Sequence, residues 1–457
     1  MFTEFRALFR NWVSIAGAVI TSAAAVIFVA VFLFDLFGFH SNPYIGILFF
    51  LVIPAIFIVG LLLIPIGLAF ERRRRRAGHA PTDVHWPRLD LNDPRTRNIA
   101  IGVAVLTVVN VLIVSLAAYR GVEEMDSVGF CGQVCHEVMQ PEYVAYQNGP
   151  HARVACVQCH IGPGAPWFVR SKIDGVRQVF GVMLNSHDRP IPSPVHTLRP
   201  ARDVCEQCHW PAKFHGDKVD VIREYANDEK NTETVTTVQL HVGGGSSRPG
   251  VPMGIHWHVN PDNQIEYVAI DDKRQEIGYV RLTDRNGKVT EFYAEGVSRD
   301  RIAKGERRRM DCMDCHNRPS HRFDPSAERA VDEAIARGEL STQLPFVRRE
   351  AVAAVMQGYP NQQVAADRIA ARLGNFYRMK YPDFYNERRA DVERGVRATQ
   401  ALYARNIFPS MKVGWGTYPN NIGHVAFPGC FRCHDESHKA ADGRVIRQDC
   451  EMCHAIS

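Results

Sequence analysis

Three long apolar runs occupy the first quarter of the chain. They cover residues 12–34, 44–70 and 99–118, and none of them contains a charged residue. A helix needs about 20 apolar residues to cross the hydrocarbon layer of a membrane, so each run predicts a transmembrane helix. Buried core helices are the alternative interpretation. Residues 1–119 are therefore predicted to form a membrane domain with three transmembrane helices.

Arginine residues predict the orientation of this domain. Arg6 and Arg10 precede the first run, and the loop 71–98 begins with "ERRRRR", whereas the loop 35–43 has no Lys or Arg. Cytoplasmic loops carry the excess of positive charge. The N-terminus and loop 71–98 are thus expected in the cytoplasm, and everything after about residue 120 on the periplasmic side of an inner membrane. The net charge of +5 suggests no nucleic-acid partner.

Beyond residue 120 the polar and apolar pattern changes along the chain. Residues 120–215 show little periodicity and predict little regular structure. Residues 216–308 contain alternating segments, with Asn286-Gly287 as a hairpin signal, and predict a small inserted antiparallel β-sheet. Residues 326–406 have helical apolar spacing. Two shorter segments, 309–325 and 407–457, are distinguished by their cysteines.

The twelve cysteines fall into six pairs, and five pairs have the form Cys-x-x-Cys-His. Two sulfurs at this spacing can form thioethers with both vinyl groups of haem, and the next histidine then lies under the iron. Disulfides, zinc sites and iron–sulfur clusters are the alternatives. Five repeats with an immediate histidine favour haem c. The residues are Cys156, Cys159 and His160; Cys205, Cys208 and His209; Cys312, Cys315 and His316; Cys430, Cys433 and His434; and Cys450, Cys453 and His454.

The remaining pair has one extra residue. Cys131 and Cys135 are separated by three residues, and His136 follows. We interpret this as a sixth haem c site in which the extra residue bulges outward; a strained disulfide is the alternative. Met139 lies three residues after His136, and its thioether could ligate the iron or pack beside the haem.

Spare histidines could supply the second axial ligands. The chain has 19 histidines, and six directly follow cysteine pairs. A haem iron held by two histidines has no open position, so the number of ligands bears on function. His256 is a weaker candidate than His258, because alternate positions of a strand face opposite sides; His215 is also weaker, and His40, His187 and His241 are predicted bystanders. The predicted distal ligands are His151, His196, His258, His321, His424 and His438.

One amphipathic helix is predicted near the membrane. Val169, Ile173, Val176, Phe180 and Met183 form a single apolar stripe. Such a helix could lie in the membrane interface or pack on the haem domain. In the interface, the nearby Lys172 and Asp174 would be placed to bind a quinol oxygen and accept its proton.

The motifs resemble a known family. The segments "FCGQVCHEVM", "HARVACVQCHIGPG" and "SKIDGVRQVFG" resemble the NapC/NirT/NrfH family of membrane-anchored quinol dehydrogenases, over roughly residues 120–215 and 312–321. The later "CHNRPSH", "YPNNIGH" and "FPGCFRCHDESH" resemble the larger multihaem members found in metal-reducing bacteria.

This resemblance implies roles for particular residues. Met139 matches the methionine that ligates the first haem, Lys172 matches the quinol-site lysine, and His151 and His321 match distal ligands. The chain departs from the family by the extra residue in the first motif, by Met139 lying one place later, and by three membrane helices rather than one. The family's carboxylate near the first haem has no clear match, since Gln178 stands about where it is expected.

The expected function follows from the motifs and the resemblance together. We expect a membrane-anchored cytochrome with about six haem c groups that oxidises menaquinol from the membrane pool. Its electrons would go to periplasmic multihaem cytochromes or other redox proteins, with the chain acting alone or in a larger complex. One alternative is a terminal reductase of a small nitrogen or sulfur compound, and another is the reverse reaction, quinone reduction.

Overall fold

The chain divides into two compact units. The first contains residues 1–127 and 163–173, and the second contains residues 128–162 and 174–457. The predicted segment boundaries therefore differ from the compact units, because a short piece of the haem region belongs to the first. The computed structural model describes residues 11–36, 53–78, 90–134, 136–195, 198–245 and 253–456.

Three long helices make up most of the first unit: α1 (Trp12–Leu36), α2 (Ile53–Arg76) and α3 (Pro94–Met125). Small residues allow α1 and α2 to pack closely. A Cβ atom added at Gly17 would lie 2.6 Å from the Gly60 carbonyl oxygen. The Ser14 hydroxyl donates a hydrogen bond of 3.0 Å to the Ile64 carbonyl.

The first and third apolar runs lie within α1 and α3, and the described part of the second run, 53–70, lies within α2. Within the described residues, one helical segment, Ala55–Arg74, is long and apolar enough to cross a membrane, with a mean hydropathy of 2.0. A shorter apolar segment covers Trp12–Ile27. Residues 44–52 of the predicted second span lie outside the described residues. The prediction of three spans is therefore not confirmed and stays a prediction.

The second unit contains a helical core and two antiparallel sheets. The segment predicted as helical, 326–406, contains five helices, and its buried core includes Val331, Ile369 and Leu402. Residues 120–215 have more regular structure than the sequence predicted, because a short helical segment contains at least one cysteine of each of the first three motifs. Besides α1 to α3, the α-helices of the described residues are α4 (His136–Gln147), α5 (Cys156–His160), α6 (Ala165–Met183, which continues from the first unit), Ala201–Cys205, Arg299–Lys304, Cys312–Cys315, Ala327–Ala336, Val347–Val355, Gln362–Lys380, Pro382–Glu387, Arg389–Asn406 and Cys450–Cys453.

The inserted β region forms two sheets rather than the single sheet predicted. Their strand orders are β1-β2-β8 and β6-β3-β4-β5-β7. The β4–β5 hairpin turns at the predicted Asn286-Gly287, with Gly287 at φ 77° and Thr283 paired to Val289. The C-terminal segment adds one strand to each sheet. The strands are β1 (Asp217–Tyr225), β2 (Glu233–His241), β3 (Gln264–Ala269), β4 (Ile277–Thr283), β5 (Val289–Ala294), β6 (Glu306–Arg309), β7 (His438–Ala440) and β8 (His454–Ile456).

Candidate haem sites and an amphipathic helix

Five motif histidines each face a second histidine across a gap of constant width. Two metal–nitrogen bonds of about 2.0 Å, plus about 1.1 Å from each nitrogen to its ring centre, would separate two axial imidazoles by about 6 Å. The observed separations match this distance. The ring centroids lie 6.1 Å apart for His160–His321, 6.1 Å for His151–His209, 6.3 Å for His256–His316, 5.8 Å for His258–His434 and 6.1 Å for His424–His454.

Backbone carbonyls orient several of these rings. The Nδ1 atoms of His151, His256 and His258 lie 3.1, 2.6 and 2.8 Å from the carbonyl oxygens of Pro319, Val242 and Ile255. A carbonyl only accepts, so each ring donates from Nδ1 and leaves Nε2 free for iron. His321 and His434 make the same kind of bond, to the carbonyls of Glu142 and Arg447.

The charge state of the rings also suits metal binding. Burial is the main cause that lowers the pKa of His160, His258 and His316 below the usual histidine value, and the facing histidine of each pair lowers it further. Neutral imidazole is the form that binds a metal. These sites thus fit haem iron with two histidine ligands.

Most of the histidines that face a motif histidine come from distant parts of the chain. His321 follows the fourth motif but faces His160 of the second, and His151 precedes the second motif but faces His209 of the third. His424 precedes the fifth motif but faces His454 of the sixth. The sequence predicted these histidines as ligands without predicting which iron they approach.

The sequence missed His256. Residues Ile255–Val259 form a 3₁₀ helix and not the predicted strand, so His256 and His258 do not point to opposite faces of a sheet. They reach two different sites, facing His316 and His434. The motif "GIHWHV" contains both histidines, but its residues were assigned the two-residue period of a strand instead of the three-residue period of a 3₁₀ helix.

The geometry argues against an axial role for His438. Its side chain is only 1% exposed, and its ring nitrogens contact Asp435 Oδ1 at 2.9 Å and the Ile277 carbonyl at 3.0 Å. No nitrogen is left for iron, so His438 instead fixes β7 against β4. His241 pairs with Asp217, His215 is exposed, and His196 lies outside the described residues.

His187 differs from the other predicted bystanders. Both of its ring nitrogens are buried, with no hydrogen-bond partner among the described residues. Val182 and Ile191, which lie five residues before and four residues after it in the sequence, pack on a core cluster that includes Val138, near the start of α4. An unsatisfied buried imidazole is costly, so His187 joins Met139 as a candidate ligand at the first motif.

The extra residue of the first motif lies in a π-helical turn. Residues Phe130–Val134 form this turn, directly before α4. A π turn carries one residue more than an α turn, which accounts for three residues between Cys131 and Cys135. Met139 is half-buried in α4. Cys135 and the side chain of His136 lie outside the described residues.

Neighbouring thiols place the six motifs in sequence order. A hydrogen bond from Cys131 lowers the pKa of Cys156 to about 7, and Cys205 is hydrogen-bonded to Cys312. Electrostatic interactions link the other neighbours: Cys159 with Cys208, Cys315 with Cys430, and Cys430 with Cys453. Each motif from the first to the sixth therefore lies beside the next.

Within the first unit, Lys172 contacts a carboxylate that the sequence analysis missed. Its Nζ lies 3.1 Å from Asp126 Oδ1, and the side chains of Lys172 and Asp126 are 32% and 11% exposed. Asp126 follows the end of α3, five residues before Cys131. Asp174 is only two residues from Lys172, and helix positions two apart do not face each other.

The apolar stripe of α6 faces outward. Ile173, Val176, Phe180 and Met183 are 65%, 59%, 57% and 74% exposed. A continuous exposed apolar face is typical of a membrane or protein contact. This exposure favours the interfacial interpretation of the helix over packing on the haem domain.

Together, the repeated motifs and the paired histidines are those of a multihaem c-type cytochrome. Residues 94–191 match the N-terminal region of the NapC/NirT cytochrome c family. The chain is also 42% identical to the cytochrome c-type protein ImcH of Geobacter sulfurreducens, over 98% of this chain and 88% of that protein. The chain belongs to the NapC/NirT cytochrome c family, and its cofactor is haem c. No solved structure matches it.

Proposed function

We propose that the protein oxidises menaquinol at the membrane and delivers the electrons to periplasmic redox partners. Haem c, bound at about six sites, supplies one-electron redox chemistry. The observation that carries this proposal is the unbroken succession of motifs, five of them with two histidines about 6 Å apart. A continuous series of closely spaced sites suits electron transfer along the chain.

The quinol site is proposed at Lys172 and Asp126. The Lys172 ammonium can donate a hydrogen bond to a quinol oxygen, and the Asp126 carboxylate can accept one of the two protons that oxidation to the quinone releases, while the two electrons leave one at a time through the haems. Asp126 supplies the acid that the family resemblance left without a match. Asp174 becomes a second carboxylate that helps release the proton to water.

The membrane arrangement supports a lipid-soluble substrate. The apolar helices anchor the chain, with the arginines at the C-terminal end of α2 in the cytoplasm and the haem region in the periplasm. The outward stripe of α6 brings Lys172 to the depth of the quinol headgroup. We propose contacts with the lipid bilayer and with periplasmic multihaem cytochromes, alone or in a larger complex.

The histidine pairs favour electron transfer over a terminal reductase. A reductase needs an open position on an iron, where a nitrogen or sulfur compound would bind. At five of the motifs, one imidazole lies on each side of the position that the haem iron would occupy. These five sites offer no such position.

Anaerobic reduction of the purified protein tests the proposal. Oxidised protein in detergent is mixed with a menaquinol analogue, and the haem c absorption bands are followed and normalised to total haem. We expect fast reduction of most haems. If dithionite reduces every haem but the quinol analogue reduces none, quinol oxidation by this chain on its own is excluded, and a further subunit or the reverse reaction is required. Oxidation of prereduced protein by the quinone would then indicate the reverse direction.

A further inference from the structure

Arg432 links the fourth and fifth motifs. It lies between Cys430 and Cys433, and its Nη2 donates a hydrogen bond of 2.6 Å to the carbonyl of Asp314, inside the fourth motif. Its Nη1 donates to the Arg274 carbonyl at 2.9 Å, and its Nε to the Gly429 carbonyl at 2.8 Å. All three nitrogens of the guanidinium are therefore held by main-chain oxygens.

A second side chain strengthens the same junction. The Asn421 amide donates a hydrogen bond of 3.0 Å to the Asp314 carbonyl, and its backbone N–H donates to Asn317 Oδ1 at 3.0 Å. The Asp314 carbonyl thus accepts from both Asn421 and Arg432. This geometry fixes the guanidinium against the backbone of both motifs.

The charge of Arg432 has no carboxylate partner among the described residues. Its hydrogen bonds go to carbonyls, and the nearby acids are occupied by other groups. The Asp314 carboxylate accepts from the Tyr267 hydroxyl at 2.5 Å and lies 3.3 Å from Arg308 Nε. Arg274 pairs with Glu306 at 2.7 Å. Arg432 therefore keeps a positive charge that no ion pair cancels.

This charge lies beside the cysteines of both motifs. Arg432 stands between Cys430 and Cys433, and Asp314, whose carbonyl it binds, stands between Cys312 and Cys315. A guanidinium this close to the attachment cysteines also lies close to the haems they would hold.

We propose that Arg432 raises the reduction potentials of the haems at the fourth and fifth motifs. This inference rests on the proposed haem chain. An oxidised haem iron carries one more positive charge than a reduced one, so a fixed cation nearby disfavours the oxidised form. Arg432 is a positioning residue for electron flow: it makes the middle of the chain a favourable place for electrons arriving from the membrane side.

Spectroelectrochemical titration of Arg432→Met and Arg432→Lys tests this inference. In Arg432→Met, we expect the part of the titration that corresponds to two haems to shift to lower potential. Arg432→Lys keeps the charge and should titrate like the wild type. The control, Arg389→Met, removes the same charge from an exposed ion pair with Glu393 and should change nothing.

Haem content separates the possible failures. Pyridine haemochrome analysis and intact mass give the number of haems in each variant. If Arg432→Met binds the wild-type number of haems but its titration is unchanged, the inference is wrong. It is also wrong if the methionine and lysine variants shift equally, because charge would then not be the cause. A wild type without haem at the fourth or fifth motif would instead contradict the proposed function.

Discussion

At the residue scale, axial ligation depends on which ring nitrogens remain free. His256 donates from Nδ1 to a carbonyl and keeps Nε2 facing His316, whereas His438 has both nitrogens in hydrogen bonds. The spacing of cysteines predicts the proximal histidines, since covalent attachment fixes them locally. The distal ligands depend on tertiary contacts, and no spacing rule could have distinguished His256 from His438.

This difference gives a direct prediction. Replacing His256 with Ala opens one iron position, so we expect about one carbon monoxide to bind per chain after reduction, with a high-spin spectrum from that haem. His438→Ala should bind no more carbon monoxide than the wild type, although its stability should fall because a buried, hydrogen-bonded ring is lost. Carbon monoxide titration of both variants checks the assignment. Equal binding by the two variants would contradict it.

The first motif has two candidate distal ligands. If Met139 ligates its iron, Met139→Leu removes the absorption band typical of methionine ligation in the oxidised protein, and His187→Leu leaves it. If His187 is the ligand, that band is absent from the wild type and His187→Leu produces the high-spin signal instead. Because His187 has two buried nitrogens without partners, we expect the second result. Optical and electron paramagnetic resonance spectra of both variants distinguish the two candidate ligands.

The ion pair of Lys172 and Asp126 predicts an effect on quinol oxidation. Lys172→Met or Asp126→Asn should lower the rate of reduction by the menaquinol analogue by about a hundredfold, since one proton-transfer or binding group is lost. Asp174→Asn should lower it less, because Asp174 does not face Lys172. Dithionite must still reduce all haems in each variant. A larger effect from Asp174 than from Asp126 would reverse the assignment.

At the element scale, irregular turns explain most differences between sequence and structure. The helices of segment 326–406 form where apolar spacing predicts helices, and the β4–β5 hairpin forms at the predicted Asn-Gly pair. No apolar period predicts the π turn at Phe130–Val134 or the 3₁₀ turn at Ile255–Val259. Short turns of this kind are stabilised by tertiary contacts rather than by local propensity, so they escape sequence patterns while positioning ligands.

The outward stripe of α6 predicts a role in substrate access. Val176→Glu with Phe180→Glu places charge on this face, and the helix should then leave the membrane interface. We expect a higher KM for the menaquinol analogue in liposomes, with unchanged haem spectra. Met379→Glu is the control, because Met379 is also an exposed apolar helix residue, 71% accessible, in the helical segment. An unchanged KM in the double variant would favour a protein contact for the stripe.

At the scale of the whole molecule, the order of the motifs in space could not be predicted from the sequence. Cys205 and Cys312 become neighbours although the β-rich segment lies between them in the sequence. A histidine that lies near one motif in the sequence can face the histidine of another motif, as His321 faces His160, and such pairs connect the motifs. Sequence predicts the number of sites, whereas the fold determines their order.

If electrons pass through the haem sites in a single line, removing one site should affect haem reduction differently according to its place in the line. Cys156→Ala with Cys159→Ala removes the second site, so the quinol analogue should reduce only the first haem quickly, while dithionite still reduces all that remain. Cys450→Ala with Cys453→Ala removes the last site, so reduction of the other haems should keep its wild-type rate and only transfer to an external acceptor should slow. Stopped-flow absorption, normalised to the haem content of each variant, measures both. Fast reduction of every remaining haem in the first variant would mean that electrons enter the chain at more than one site, and a branched path would replace the linear one.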